Sequence, residues 1–356
     1  MKKLSIILVV ALVCLTSLFA TFDYSLDFIS LDPLHKEYIA DKNSANIAFG
    51  YIHNFSGFPD HIHQDSLIVY PLEYKGQKGM TQIKVGENFS LLRNTFSFDG
   101  FISPISFDFS IQAALSFILD DGITDIIAED GVYFFGLTAS VADKVSMRAG
   151  FHHYSNHYGD YVYKKMEQSQ LLTFDRIQKY LRMMTYVVGV SVEPIDGIRL
   201  YGEYNWVPAN IDGFRPWMFR PDWLTSEDHT INDPSGKYKA RIVNFGLELS
   251  HTFFKSLGTT TLACDLHLYE EGQIVYKNED GSYMTNEADI HYDPTLPWRR
   301  EISVVLSQEL ATDFFIEIQY CQGASPINMF YFLNDDAKWL KVSFKYNPNP
   351  TVALIK

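Results

Sequence analysis

Ile105-Ser106-Phe107-Asp108-Phe109-Ser110-Ile111-Gln112-Ala113-Ala114-Leu115-Ser116-Phe117 changes from apolar to polar at almost every step. Successive side chains of an extended strand point to opposite faces. Ile105, Phe107, Phe109, Ile111, Ala113, Leu115 and Phe117 therefore line one face, and Ser106, Asp108, Ser110, Gln112, Ala114 and Ser116 the other. A single strand of this kind decides little, but its recurrence does. Ile198-Leu200-Gly202-Tyr204-Trp206 opposes Arg199-Tyr201-Glu203-Asn205 in the same way. Further segments fall at 45–53, 86–98, 131–142, 145–156, 181–193, 238–252, 259–270, 299–310, 314–322 and 337–346. With 105–118 and 196–206 these make about twelve strands, an even number, as a closed antiparallel barrel requires.

The links between strands carry a second argument. Short ones lie at 99–104, 143–144, 194–195, 253–258 and 311–313; long ones lie at 54–85, 119–130, 157–180, 207–237, 271–298 and 323–336. Outer-membrane barrels alternate short periplasmic turns with long external loops. The expectation is thus an all-β transmembrane antiparallel barrel over 45–346 with both termini in the periplasm. A soluble β-sandwich would not readily put every long loop on one side.

The flanks fit that compartment. Met1-Lys2-Lys3, the apolar run Leu4 to Leu15 and Thr16-Ser17-Leu18-Phe19-Ala20 have the three regions of a secretory signal peptide over 1–20. Residues 21–44 read as a periplasmic lead-in or an internal plug, and 347–356 as a C-terminal tail. Phe and Tyr number 27 and 22, as expected where aromatic girdles flank an apolar band. The net charge of −14 argues against a nucleic-acid partner. The expected partners are outer-membrane lipid and, during biogenesis, the barrel-assembly machinery. Cys264 and Cys321 read as unpaired strand residues.

Polar chemistry gathers at the outward end of one strand. From Val145 the odd positions are Val145, Met147, Ala149, Phe151, His153 and Ser155, and the even ones Ser146, Arg148, Gly150, His152, Tyr154 and Asn156. His153 and Ser155 therefore share the apolar, lipid-facing side at outer-leaflet depth. A serine becomes a nucleophile when a neighbouring base takes its proton, and a histidine two residues away on the strand is placed for that. The expected catalytic residues are His153 and Ser155 with Glu167 as the orienting acid, or Asp160 in its place. Asn156 is the candidate oxyanion donor, and Phe151, His157 and Tyr158 are candidate substrate contacts. No metal or other cofactor is implied. Two other readings stand beside this one: polar residues mixing at the headgroup level, and a metal or ligand site of His152, His153, His157 and Asp160. Arg148, Glu203 and Arg199 fall on the lumen side as a charged structural network.

The segment His153-Tyr154-Ser155-Asn156-His157-Tyr158-Gly159-Asp160 resembles the His-x-Ser-Ser-His-x-Gly-Asp-Glu mark of a bacterial outer-membrane family of unknown function. Asn156 replaces the second Ser and Tyr161 the final Glu. The shorter His153-Tyr154-Ser155-Asn156 is similar to the active-site segment of lipid A deacylases and of outer-membrane phospholipase A. That resemblance implies a serine esterase acting on lipid acyl esters. It also implies a third catalytic residue about twelve positions after the serine, where Glu167 stands. The alternative function is a non-catalytic barrel, serving as pore, receptor or envelope structural protein.

Overall fold

A computed structural model describes residues 22–57, 61–64, 67–71, 78–98, 104–160, 162, 180–207, 237–254, 256, 258–275, 279, 291–328, 337–347 and 351–352. Its wall strands are β1 (Phe22–Ser30), β2 (Ile47–Asn54), β3 (Gly79–Phe98), β4 (Ile105–Leu119), β5 (Ile126–Val141), β6 (Val145–Tyr158) and β7 (Tyr180–Ile195). They continue as β8 (Ile198–Trp206), β9 (Ile242–Phe254), β10 (Gly258–Tyr269), β11 (Arg299–Ala311), β12 (Phe314–Gln322), β13 (Lys338–Tyr346) and the two-residue β14 (Thr351–Val352), where the segment expected as a tail instead pairs with Ile29 and Ser30 of β1. Each pairs antiparallel with its neighbours, and β2 pairs with both β13 and β3, closing twelve strands, β2 to β13, into a barrel.

The alternation in sequence becomes an inside and an outside. On β4, Phe107, Phe109 and Leu115 are exposed while Asp108, Ser110 and Gln112 are buried. The outward residues are those that bilayer hydrocarbon accepts, and the buried polar ones fill the lumen. Aromatic rings cluster at both ends of the wall. Phe151, Tyr186, Trp206 and Tyr204 form a chain of ring contacts at the outer end, and Tyr24, Phe96 and Phe107 form another at the inner end. Such girdles belong to the two interfaces of a membrane.

The first strand position is split. β1 pairs with the inner half of β3, up to Ser30 opposite Ser90, and β2 with its outer half, from Ala48 opposite Lys84. The segment expected as lead-in or plug therefore divides, with 22–30 standing in the wall and 31–46 turning into the lumen. Between those two pairings the edge of β3 at 86–89 has no strand partner among the described residues.

The plug is bonded on every side. Tyr38 is 2% exposed and stacks on Tyr201, ring centroids 3.9 Å apart. Gly246 stands opposite Tyr201 in the ladder, and a Cβ there would lie 1.9 Å from that ring, so only glycine lets the tyrosine lie flat against the wall. Arg199 donates to the carbonyls of Lys36 (2.6 Å) and Glu37 (2.8 Å), and the Ile39 N–H donates to Glu248 (2.9 Å). Asn88 and Gln112 each donate to the Glu37 carboxylate at 3.0 Å. Arg148 pairs with Glu203, its Nε donating at 2.6 Å, and Arg199 pairs with Glu248 at 3.3 Å. The lumen network of Arg148, Glu203 and Arg199 is thus present as expected. Among the described residues, cavities of about 20 and 40 Å³ lie beside the plug, room for a few waters.

Two expectations need correction. Strand β3 starts at Gly79, before residue 86. The expected long loop at 119–130 is a tight turn, because β5 already begins at Ile126. The Asp120 carboxylate closes it by accepting the N–H groups of Thr124 (2.7 Å) and Asp125 (3.1 Å). Burial pushes that carboxyl up, but these bonds outweigh it and hold it below the ordinary carboxylate range. Cys264 faces outward and Cys321 is buried in the lumen, both free, as the sequence suggested.

Candidate functional site

β6 lies between β5 and β7 with its register continuous along the strand, so its side chains alternate strictly. Phe151 is exposed, His153, Ser155 and His157 are half-buried on the same outward face, and His152, Tyr154, Asn156 and Tyr158 are buried on the lumen side. The odd column of the strand thus climbs from lipid-facing Met147 to the polar residues at its outer end.

The Ser155 hydroxyl lies 3.0 Å from Nε2 of His157. Sequence reasoning expected His153 in that place. Both histidines stand two residues from the serine on one face, and it is His157 whose ring turns toward it. His153 instead stacks on Tyr133 of β5, with ring centroids 5.8 Å apart. Gly131 stands opposite Ser155 in the β5–β6 ladder, and the Tyr133 ring, also from β5, lies over it, its hydroxyl 3.0 Å from where a Cβ of residue 131 would stand.

The same ladder places Glu129 directly opposite His157. Facing residues of an antiparallel pair have Cβ atoms about 4.5–5.5 Å apart, and Glu129 shares the outward face of its strand. A carboxylate beside an imidazole selects its tautomer and steadies the ring. Sequence reasoning missed Glu129 because only the pairing register, not the spacing within β6, sets it at the position facing the histidine. On the other side the ladder puts Arg182 opposite Ser155 and Tyr180 opposite His157.

The remaining expected site residues separate. Glu167 lies outside the described residues. Asp160 is exposed just beyond Gly159, past the end of β6. Asn156, expected as the oxyanion donor, is wholly buried in the lumen, where its Oδ1 accepts from Asn328 at 3.3 Å. Adjacent residues of a strand cannot serve one face, so Asn156 does not flank the Ser155 hydroxyl. Tyr158, expected as a substrate contact, is buried on the lumen side for the same reason. Phe151, expected as a substrate contact, is exposed on the outward face with its ring centroid 4.8 Å from that of Tyr186. His152 is turned away from the other histidines and bonds Asn205 at 3.1 Å inside the barrel, so the expected ligand set of His152, His153, His157 and Asp160 does not converge. Among the described residues no group of three or more metal-ligating side chains is assembled.

No family model and no curated protein matches the sequence. Solved structures of similar fold include the outer membrane phospholipase of Salmonella typhi, solved as a dimer with bound calcium. It is 11% identical over 85% of this chain and 91% of its own, with a TM-score of 0.45. Outer membrane phospholipase A from Escherichia coli is 11% identical over 85% of this chain and 92% of its own, with a TM-score of 0.42. The NanC porin is 10% identical over 85% of this chain and 100% of its own, with a TM-score of 0.39. These are likenesses of fold alone. The architecture is that of an outer-membrane β-barrel.

Proposed function

We propose that this outer-membrane barrel hydrolyses acyl esters of membrane lipid, with Ser155 as nucleophile, His157 as base and Glu129 as the residue that orients the histidine. The observation that carries the reading is the 3.0 Å contact between Ser155 Oγ and His157 Nε2 on the lipid-facing side of the wall. A serine and histidine in hydrogen-bond contact satisfy the geometry of an activated nucleophile. Their position at the outer end of the wall matches the depth at which a lipid carries its ester groups.

In this scheme His157 Nε2 accepts the Ser155 proton as Oγ bonds to the ester carbonyl carbon. The imidazolium then gives that proton to the departing alkoxide as the ester C–O bond breaks, leaving the acyl group on Ser155. A water molecule next gives a proton to His157 as its oxygen attacks the acyl carbon. Collapse frees the fatty acid and returns the proton to Ser155. Glu129 acts through His157 and is a positioning residue.

The lumen favours the wall over a pore as the place of function, because segment 31–46 crosses it with Tyr38, Glu37 and Ile39 bonded to the surrounding strands. A long-chain alkyl fluorophosphonate tests the reading, since it reacts with an activated serine. Adduct on a peptide containing Ser155, absent in Ser155→Ala and slowed at least about 10²-fold in His157→Ala, is the expected result. Equal labelling of wild type and Ser155→Ala would refute it.

A further inference from the structure

Across strands β2 to β13, most outward acids and bases among the described residues stand toward strand ends. Glu129 and Lys338 lie toward the outer ends and His251 toward the inner end. Glu87 stands in the middle of β3, on the outward face between Val85 and Phe89. Val85 is 54% exposed, and Leu115 and Phe109 on the neighbouring strand are likewise exposed to the bilayer. An ionisable side chain facing hydrocarbon is costly and is kept where it pairs with something.

The wall itself supplies little. Glu87 Oε1 accepts the N–H of Asn88 at 2.9 Å. Its ladder partner on β4 is Ala113. On the other edge lies the interruption between β1 and β2, so no strand residue stands opposite Glu87 there among the described residues. The carboxyl therefore faces outward beside a methyl group and an edge with no paired strand, with Val85 and Phe89 along β3 and Leu115 and Ile111 across from them.

We propose that this face joins two copies of the chain in the membrane, with the two Glu87 carboxyls paired across a two-fold axis. A carboxyl group in hydrocarbon keeps its proton rather than carry a bare charge, and in that form it has both a donor and an acceptor. Two such groups satisfy each other. A two-fold contact sets residues near the axis against their own copies, so the chain needs no second kind of partner to meet this requirement. Small residues let membrane-embedded surfaces approach closely, and Ala113 serves that purpose beside Glu87. Lipid tails offer no hydrogen bond at this depth. The contact is independent of the Ser155 chemistry, which lies on β6.

Subunit counting of the full-length folded barrel in phosphatidylcholine vesicles, across a series of protein-to-lipid ratios, tests this. Wild type is expected to be dimeric, and Glu87→Leu to raise the dissociation constant at least tenfold. Glu87→Gln is expected to stay dimeric, since an amide also carries a donor and an acceptor. Ala113→Trp, which leaves the carboxyl intact but fills the approach, is expected to weaken the dimer as well. A monomeric wild type at every ratio would overturn the proposal. So would dimers of Glu87→Leu as tight as wild type, which would place any contact on another face.

Discussion

Ser155 finds its histidine through the two-residue period of a strand, and that period offers it two. His153 and His157 are equivalent by spacing, and ring orientation separates them, with His157 at 3.0 Å and His153 stacked on Tyr133. The two variants should therefore differ. His157→Ala is expected to lower ester hydrolysis about 10³-fold, while His153→Ala keeps most of it, as measured by initial rates on a short-chain ester in detergent. Glu129→Gln is expected to lower kcat about 10²-fold with a smaller effect on KM, because it acts by holding the histidine. Equal losses from His153→Ala and His157→Ala would reverse the assignment. Inside the barrel, Glu203 is buried against Arg148 and bonded by Tyr38. Removing it strands a buried guanidinium, so Glu203→Ala should destabilise the fold by about 3–5 kcal/mol in urea unfolding.

At the scale of elements, what was legible followed from alternation. Strands β4, β6 and β8 could be read because their apolar and polar residues alternate at most steps, and the lumen placement of Arg148, Glu203 and Arg199 came with them. The split first strand could not be read. Phe22–Ser30 has Tyr24, Leu26 and Phe28 in alternation, but Ile29 breaks the pattern and Asp32-Pro33 follows at once. The turn at Asp120 was hidden by Ile126-Ile127-Ala128, an apolar run without period in which Ile127 and Ala128 are both buried. Glu129 escaped notice because pairing register joins residues distant in sequence. The plug yields a prediction of its own. Replacing 31–46 by a linker just long enough to run opposite residues 86–89 of β3 would complete the wall and empty the lumen. Wild type should then be silent in a planar bilayer and the replacement should conduct in steps. Conductance of wild type equal to that of the replacement would show that the plug does not close the barrel.

Taken whole, the molecule keeps most of its polar groups in the lumen, locked into a network around the plug. The outer wall carries few, and a cluster of them stands at the end of β6. Composition and alternation foretold the barrel, because an apolar outside is imposed by the bilayer on every strand. They could not foretell which polar outward residues touch, since that depends on side-chain rotation at one level of one strand. The most direct test of the account is fatty acid release from phospholipid vesicles by the purified, folded barrel, measured beside Ser155→Ala of equal heat stability. The account predicts release by wild type and a loss of about 10³-fold or more in the variant. Release by Ser155→Ala at the wild-type rate, or none by wild type, would contradict it.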